Sequence, residues 1–271
     1  MPAFKDLLVL VDTMPSCETR LRLAATLAAR CGAHLTGLHV SPPPDIPVLV
    51  DAPLTADLIV RQQRVLAETR ERAETVFRHH AKVPGVTPEW RADQGEPGNV
   101  AIRHARYADL TIVGQVDPDA PDPLPVDLPE RVVLGAGRPV LVVPYAGRFE
   151  TLGERVLVAW NATREAARAV HDAMPFLREA SKVTALTINA DKDLAGDLVR
   201  HLARHGVKAE ASQLKSDDVE VGALLLSRAA DFAADLMVMG AYGHSRLREV
   251  VLGGATREIL RTMTVPVLMA H

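Results

Sequence analysis

The sequence predicts an α/β fold that is built twice along the chain. Short apolar blocks, rich in β-branched residues and nearly continuous, are typical of strands buried on both faces of a parallel sheet. Stretches with helical periodicity lie between these blocks, which gives alternating strands and helices with right-handed crossovers. Four apolar blocks of the first half recur in the same order in the second half, and this is strong evidence of an internal duplication.

The composition excludes several classes of protein. The chain has 271 residues, with 31 Lys and Arg against 34 Asp and Glu, so its formal net charge is −3. This balance argues against a nucleic-acid binder and against a polybasic membrane-surface protein. The hydrophobic content of 48% excludes a disordered chain. No apolar run approaches the roughly 20 residues that cross a bilayer, and Cys17 and Cys31 fit a reducing compartment, so we expect a cytoplasmic protein.

The strands are predicted in matching pairs. The pairs are residues 7–12 and 156–161, 35–40 and 183–188, 108–114 and 234–240, and 138–143 and 265–270. The join between the two copies falls in a polar, glycine-containing stretch at 145–154. We therefore expect one domain at residues 1–147 and a second at residues 152–271.

Helices are predicted between these strands. Residues 17–30 carry apolar side chains at helical spacing and stop at Gly32, and their counterpart is predicted at 163–178. Another matching pair precedes the fourth strands, at about 98–107 and 216–233, and Ser216 is the expected N-cap of the later helix.

The two copies differ in length between their second and fourth strands. The first copy is 22 residues longer there, counted from Val40 to Asp109 and from Ile188 to Asp235. The extra residues fall at a triple proline at 42–44, which predicts a stiff connector, and in a charged helical stretch at 54–80. We interpret this helix as a solvated outer face or a cover between the domains.

A glycine-rich segment follows the fourth strand of the second copy. It has the spacing G-x2-G-x9-G-G-x-T and leads into a helical stretch at 257–262. Glycines let backbone N–H groups approach a phosphate, and a helix N-terminus adds unpaired donors. The same spacing also fits a strand end followed by a turn, and spacing alone leaves both interpretations open.

Asn161 and Gly240 follow the first and fourth strands of the second copy. In an open α/β sheet, ligands lie outside the carboxyl ends of the strands, where the strand order reverses. If these two strands are neighbours, Asn161 and the glycine-rich segment flank one crevice. Asn161 would then face a sugar or base, and the glycines would hold phosphates.

The duplication and the glycine spacing resemble those of tandem universal stress proteins, with two such domains covering essentially the whole chain. The signature of that family is an Asp after the first strand and G-x2-G-x9-G-[S/T] after the fourth, and its nucleotide-binding members hold ATP there. The resemblance implies two five-stranded, doubly wound, Rossmann-like sheets of strand order 3-2-1-4-5 that form a pseudo-twofold pair. It also implies a stress-response protein that binds ATP, ADP or AMP, with or without Mg²⁺, in its second domain.

Carried over residue by residue, the resemblance implies a nucleotide site with two departures from the family pattern. Asn161 replaces the Asp, so one carboxylate oxygen becomes an amide donor. Gly254 replaces the Ser or Thr, although Thr256 lies two residues on and could compensate. The implied nucleotide-binding residues are Ala159, Asn161, Ile188, Gly240, Gly243, Gly253, Gly254 and Thr256.

The first copy departs further from the pattern. It keeps Asp12, but the segment after Gly114 carries prolines and aspartates in place of the glycines. Proline has no N–H to donate, and aspartates repel phosphate, so we expect no nucleoside triphosphate in this copy.

The expected role of the first copy is that of a built-in partner for the second copy. In the resembled family the last strands pair across a dimer axis, so we expect residues 139–143 to pair with 266–270 within one chain. Whether whole chains also associate into a homodimer is a question that the sequence leaves open.

No catalytic or metal-binding constellation is predicted. His201 and His205 lie one helical turn apart but lack a third ligand, and the chain has neither a P-loop nor a nucleophile elbow. Binding without turnover, or with at most weak ATP hydrolysis, is therefore the simplest function. The alternatives are a nucleotide-free interaction scaffold with a lost site and, with less support, an ATP-using enzyme of a related α/β class.

Overall fold

The computed structural model describes residues 4–43, 52–120, 125–190, 192–216, 220–243 and 254–271, and of residues 52–57 it describes the backbone. The first half of the chain contributes β1 (Asp6–Leu10), β2 (His34–Ser41), β3 (Thr87–Gln94), β4 (Leu110–Gly114) and β5 (Val140–Val143). The second half contributes β6 (Arg155–Ala159), β7 (Lys182–Ile188), β8 (Ala209–Leu214), β9 (Leu236–Gly240) and β10 (Val267–Ala270).

Across the described residues these strands form one sheet of ten strands. Its order is β3-β2-β1-β4-β5-β10-β9-β6-β7-β8. Within each half the strands are parallel and follow the order 3-2-1-4-5. The predicted α/β fold with two doubly wound halves is thereby confirmed.

Helices cover both faces of the sheet. The helices are α1 (Pro15–Cys31), α2 (Ala52–His80), α3 (Pro97–Ala105), α4 (Leu128–Gly135), α5 (Arg164–Asp172), α6 (Met174–Glu179), α7 (Leu194–Arg204), α8 (Val221–Asp231) and α9 (Ala255–Thr262). Two apolar clusters fill the space between helices and sheet, one on each face. We call the face that carries α1, α5 and α7 the first face, and the face that carries α4, α8 and α9 the second face. Within the described residues, no helix has the length and apolar character needed to cross a membrane.

Two helix boundaries differ from the sequence prediction. The helix predicted at 163–178 is broken at Ala173, because Pro175 lacks an N–H and starts a new helix, α6. Ser216 does not cap α8, which begins at Val221. Instead, the Ser216 N–H donates to Asn189 Oδ1, and Asn189 Nδ2 donates to the Ser216 carbonyl, both at 2.8 Å. This exchange of hydrogen bonds ties the end of β7 to the chain beyond β8.

The difference in length between the halves lies between their second and third strands. There, α2 has 29 residues and α7 has 11. The carboxyl end of α2 is anchored by Phe77, which is fully buried against Gly37 of β2. A Cβ atom on Gly37 would lie 2.5 Å from the Phe77 ring, so this contact requires glycine. The helix therefore rests on the sheet through its last turns.

The two halves meet through antiparallel pairing of β5 with β10, the strands in which that contact was expected. Leu141 lies opposite Leu268, and both are fully buried. Beside the strands, Gln115 Nε2 donates to the Arg261 carbonyl at 2.9 Å. Because the pairing is antiparallel, the amino ends of the first-half strands lie beside the carboxyl ends of the second-half strands.

We predict that the two halves unfold together. Leu141→Ala leaves a cavity at the β5–β10 contact and should lower the free energy of unfolding by about 2–5 kcal/mol. The measurement is urea unfolding followed by the fluorescence of Trp90 in the first half and of Trp160 in the second, in Trp160→Phe and Trp90→Phe backgrounds. Both transitions should shift equally. Val126→Ala, at a residue that is 83% exposed, is the control and should change stability by less than about 0.5 kcal/mol. A shift seen by one tryptophan alone would show that the halves are independent.

Candidate functional site

The strand order of the second half reverses between β6 and β9, which are parallel neighbours with Ala159 opposite Met239. The chain leaves β6 toward β7 on one side and leaves β9 toward β10 on the other. A crevice therefore opens at the carboxyl ends of these two strands, as expected for an open α/β sheet. The segments that flank the crevice are residues 160–163 and 240–243.

Asn161 takes part in the start of α5. Its Oδ1 atom accepts a hydrogen bond from Thr163 Oγ1 at 2.9 Å and another from the Thr163 N–H at 3.3 Å. Thr163 is the N-cap of α5, and its Oγ1 accepts from the Ala166 N–H at 3.3 Å. The oxygen of Asn161 is thus used within the protein. Its Nδ2 group has no protein partner in the part of the chain that the structure describes, and the side chain is exposed, so it can donate to a ligand.

Gly240 is required by the packing of α5. A Cβ atom at this position would lie 2.3 Å from the Ala166 backbone nitrogen and 2.6 Å from the Glu165 carbonyl carbon. No side chain fits there, because the first turn of the helix lies directly on the end of β9. Helix packing therefore accounts for Gly240 without any ligand.

Gly243 is where the loop after β9 meets the start of α5. A Cβ atom on Gly243 would lie 3.0 Å from both Glu165 Oε2 and Thr163 Oγ1. The preceding residue, Tyr242, is buried and adopts a left-handed conformation with φ 56°. This strained turn places the Gly243 backbone beside the Asn161–Thr163 turn, so the two flanking segments line the same crevice.

Thr256 connects the first turn of α9 to the same loop. Its side chain is 3% exposed, and its Oγ1 accepts a hydrogen bond from the Tyr242 N–H at 3.3 Å. Gly254 is the N-cap of α9, and no side chain of the described residues caps this helix end. The first N–H groups of α9 are thus left available to an anion. Gly253 and the basic residues His244, Arg246 and Arg248 lie outside the described residues.

Ala159 and Ile188 form an apolar surface at the carboxyl ends of β6 and β7. Both are half-buried and pack against the cluster of the second face, which also contains Tyr242 and Ile259. The structure thus brings Ala159, Asn161, Ile188, Gly240, Gly243, Gly254 and Thr256 to the carboxyl end of the second-half sheet, with the apolar residues on the face that carries α9.

One acidic side chain, Glu165, borders this crevice, and another, Glu258, lies against the start of α8. Glu165 lies under Gly243 with 8% of its side chain exposed; burial raises the pKa of its carboxyl, but hydrogen bonds from its own N–H and from Arg164 hold it below the usual value. Glu258 lies in the first turn of α9, where burial and the neighbouring Glu220 raise the pKa of its carboxyl. A phosphate at this site would be repelled by the negative charge of Glu165. Its binding therefore needs the helix N-terminus and nearby cations to offset this repulsion.

Sequence reasoning did not single out Thr163, Glu165 or Tyr242. Thr163 could have been found, since a threonine just before a helical pattern is a common N-cap. Glu165 and Tyr242 could not, because their importance depends on the approach of α5 to β9, a contact between distant parts of the chain.

The corresponding crevice of the first half is filled by Arg20. Asp12 and Gly114 take the positions of Asn161 and Gly240, and Arg20 of α1 lies between them with 2% of its side chain exposed. Arg20 Nε donates to the Leu10 carbonyl at 3.0 Å, and Nη2 donates to Asp12 Oδ2 at 2.5 Å. Asp12 Oδ1 accepts from the Met14 N–H at 2.9 Å. Both oxygens of Asp12 are therefore used within the protein.

Helix α5 has no equivalent of this arginine. Counted from Asp12 and Asn161, the residue of α5 that corresponds to Arg20 is the fully buried Ala169. A Cβ atom on Gly114 would lie 2.1 Å from the Arg20 guanidinium, whereas at Gly240 the obstacle is helix backbone. Burial alone lowers the pKa of Arg20, but Asp12 and Cys17 more than offset this and the pKa is raised, so the guanidinium stays charged. The space between the first helix and the fourth strand is thus filled by the Arg20 side chain in the first half and by helix backbone in the second half.

Comparison with known proteins gives one family. The model of the universal stress protein family matches residues 3–144 and 189–271, which is more than half of the chain. The universal stress protein Slr1230 of Synechocystis sp. (strain PCC 6803) is 29% identical over 150 residues, 51% of this chain and 49% of that protein. The chain thus spans about half the length of this relative.

Two solved structures are similar over nearly the whole chain. A universal stress protein of Archaeoglobus fulgidus DSM 4304 aligns with a TM-score of 0.71 and 16% identity, covering 98% of this chain and 96% of that one. A protein of unknown function from Pseudomonas aeruginosa PAO1 aligns with a TM-score of 0.61 and 17% identity, covering 99% and 93%. At this level of identity the similarity establishes the fold.

We predict that Arg20 is essential to the first half. Arg20→Ala leaves Asp12 in a nearly buried site without its cation, and it should lower the free energy of unfolding by about 3–5 kcal/mol in chemical denaturation. Arg200→Ala is the matched control. Arg200 is also 2.5 Å from its partner, Asp197, but both side chains are more than half exposed, so its loss should cost less than about 1 kcal/mol. Equal losses from both variants would show that burial of the Arg20–Asp12 pair does not matter.

Proposed function

The chain belongs to the universal stress protein family, and on that premise we propose that it is a stress-response protein that binds ATP in the crevice of its second half without substantial catalysis. The observation that carries the proposal is the convergence of three features at one sheet edge. These are the exposed amide of Asn161, the Gly243 loop and the N-terminus of α9, which no side chain in the described part of the chain caps. ADP and AMP are the other candidate ligands, and Mg²⁺ would accompany the phosphates where it binds.

In this proposal, each part of the nucleotide has its own surface. The adenine ring packs on Ala159 and Ile188, which expose part of an otherwise buried apolar cluster. The phosphates lie between Gly243 and the start of α9, where the first N–H groups of the helix, at Gly254 to Thr256, are close to the loop. Gly253 belongs to the same set by its place in the motif.

The site differs from the family pattern at the ribose. Asn161 Oδ1 already accepts two hydrogen bonds from Thr163, so a ribose hydroxyl would meet the Nδ2 group as donor. A neutral amide binds hydroxyls less strongly than a carboxylate, which forms charge-assisted hydrogen bonds. We therefore expect weaker nucleotide binding than an Asp would give.

Binding without turnover is favoured by the state of the nearest carboxyl group. Glu165 is buried and paired with Arg164, with Nη2 3.0 Å from Oε1. A carboxylate held in this way, with its pKa lowered, is a weak general base and is not free to activate water. We propose no catalytic residue.

The first half serves, in this proposal, as a built-in partner. Its own crevice is occupied by Arg20, and its last strand pairs with the last strand of the second half. The pairing of these strands supports the domain division 1–147 and 152–271 that we propose. We also propose a cytoplasmic location, which the free thiols of Cys17 and Cys31 support. Association of whole chains into a homodimer is left to measurement of the mass in solution.

A nucleotide-free interaction scaffold is the second candidate. It is favoured by two observations that need no ligand: helix packing requires Gly240, and Thr163 uses the oxygen of Asn161. In that case the crevice would be a remnant of a nucleotide site.

We predict that ATP binds and that Gly243→Asp strongly weakens this binding. The new carboxylate would lie beside Glu165 and in the expected path of the phosphates, so the affinity should fall by roughly tenfold or more. The measurements are mass analysis of small molecules that copurify with the protein and fluorescence titration with ATP, ADP and AMP.

The control for this experiment is Ala120→Asp, which adds the same charge to the loop after β4 in the first half and should leave ATP binding unchanged. Thermal unfolding of each variant shows whether it is folded. The absence of any response at millimolar ATP in the wild-type protein would exclude the nucleotide site and favour the scaffold. Steady ATP hydrolysis that Gly243→Asp removes would favour an enzyme.

A further inference from the structure

The turn at Asn161, beside the crevice of the second half, has a counterpart in the first half. Asn161 Oδ1 accepts a hydrogen bond from the Thr163 N–H at 3.3 Å. Asp12 Oδ1 likewise accepts from the Met14 N–H at 2.9 Å. Each contact forms an Asx turn, in which a side-chain oxygen bonds the N–H two residues further on. The turn occupies one terminal atom of each side chain and leaves the other, which is Oδ2 in Asp12 and Nδ2 in Asn161.

The orientation of the Asn161 amide is fixed by its partners. The Thr163 N–H can act as a donor alone, so the atom that it bonds is the amide oxygen. Thr163 Oγ1 accepts from the Ala166 N–H and donates its own proton to the same oxygen at 2.9 Å. Ala162, between the two partners, has a left-handed backbone with φ 58°. The exposed Nδ2 group therefore offers N–H donors to a ligand, and the side chain has no acceptor left to offer.

In the first half, the atom that corresponds to Nδ2 has a partner within the chain. Asp12 Oδ2 accepts from Arg20 Nη2 at 2.5 Å, so an acceptor meets a donor. In the second half, Ala169 takes the place of Arg20, and the acceptor has become a donor. The group that complements Asn161 Nδ2 is therefore an acceptor that a ligand supplies.

The charged pair on the same wall of the crevice is balanced. The Glu165 carboxylate is paired with Arg164, with Nη2 3.0 Å from Oε1. An Asp in place of Asn161 would leave this wall with a net negative charge, which would repel a phosphate group close to it. The neutral amide adds no such repulsion.

We propose that the crevice selects adenine nucleotides that carry a phosphate group on the 2′ or 3′ oxygen of the ribose. This inference rests on the proposed nucleotide site, in which Asn161 faces the ribose. A phosphoryl oxygen accepts from Nδ2 in a charge-assisted hydrogen bond, which is stronger than a bond between an amide and a neutral hydroxyl. The proton of a free ribose hydroxyl finds no acceptor on Asn161, because Oδ1 already accepts two hydrogen bonds.

The test compares AMP with adenosine 3′,5′-bisphosphate and adenosine 2′,5′-bisphosphate by calorimetry on the full chain. Each bisphosphate adds one phosphate group to AMP at one ribose oxygen. At least one of the two should bind roughly five- to tenfold more tightly than AMP, and their comparison identifies the oxygen. ADP contains the same atoms as the bisphosphates but carries its second phosphate on the 5′ side, so it is the ligand control.

Variants of Asn161 assign the preference to its amide. Asn161→Asp keeps the oxygen of the turn and replaces the donor by a carboxylate. It should weaken the preferred bisphosphate by roughly tenfold or more and strengthen AMP and ADP, so the effects have opposite signs. Asn161→Ala removes the donor without adding charge and should abolish the preference over AMP. Asn99→Asp makes the same change of charge at an exposed position of α3 in the first half and should alter none of the affinities.

Binding of both bisphosphates no tighter than that of AMP would overturn the inference and leave the nucleotide site in place. So would an Asn161→Asp variant that keeps the wild-type preference, or one that weakens ADP and the bisphosphate equally, with thermal unfolding showing that it is folded. The absence of binding by all four nucleotides at millimolar concentration would overturn the proposed function and this inference together.

Discussion

The antiparallel pairing of β5 with β10 is the contact on which the rest of the structure depends. Both strands are apolar and fully buried, and left unpaired each would be an open edge prone to association with other chains. Their pairing joins two similar halves into one sheet, in which the strands of one half run antiparallel to the strands of the other. The nucleotide crevice lies within the second half, where the strand order reverses between β6 and β9.

The two halves have the same topology, but the space between the first helix and the fourth strand is filled differently in each half. In the second half α5 approaches β9 so closely that Gly240 has no room for a side chain. In the first half α1 stands further off, and the Arg20 guanidinium fills the gap and pairs with Asp12. Burying a charged pair is costly unless its hydrogen bonds are satisfied, and three contacts of Arg20 and Asp12 meet that requirement. One half is thus closed by its own side chain, and the other keeps an open crevice.

Much of the fold could be predicted because the inner strands are apolar on both faces. The strands β1, β2, β4 and β5 and their counterparts were visible as repeated apolar blocks. The outer strands β3 and β8 were not located, since they lie at the two edges of the sheet and their sequences, TPEWRADQ and AEASQL, are largely polar. The break at Ala173 was missed although Pro175 signals it.

The site was less predictable than the fold. The glycine spacing located the loop after β9, but it could not separate a packing role from a phosphate-binding role at Gly240. The role of Arg20 depends on contacts with Leu10, Asp12 and Gly114, which come together only in the folded chain.

The stoichiometry of ATP binding, measured by calorimetry on the full chain, shows whether the duplicated chain has one nucleotide crevice because Arg20 occupies the other. One ATP per chain is the predicted result. Two equivalent sites per chain, or no binding at all, would contradict it.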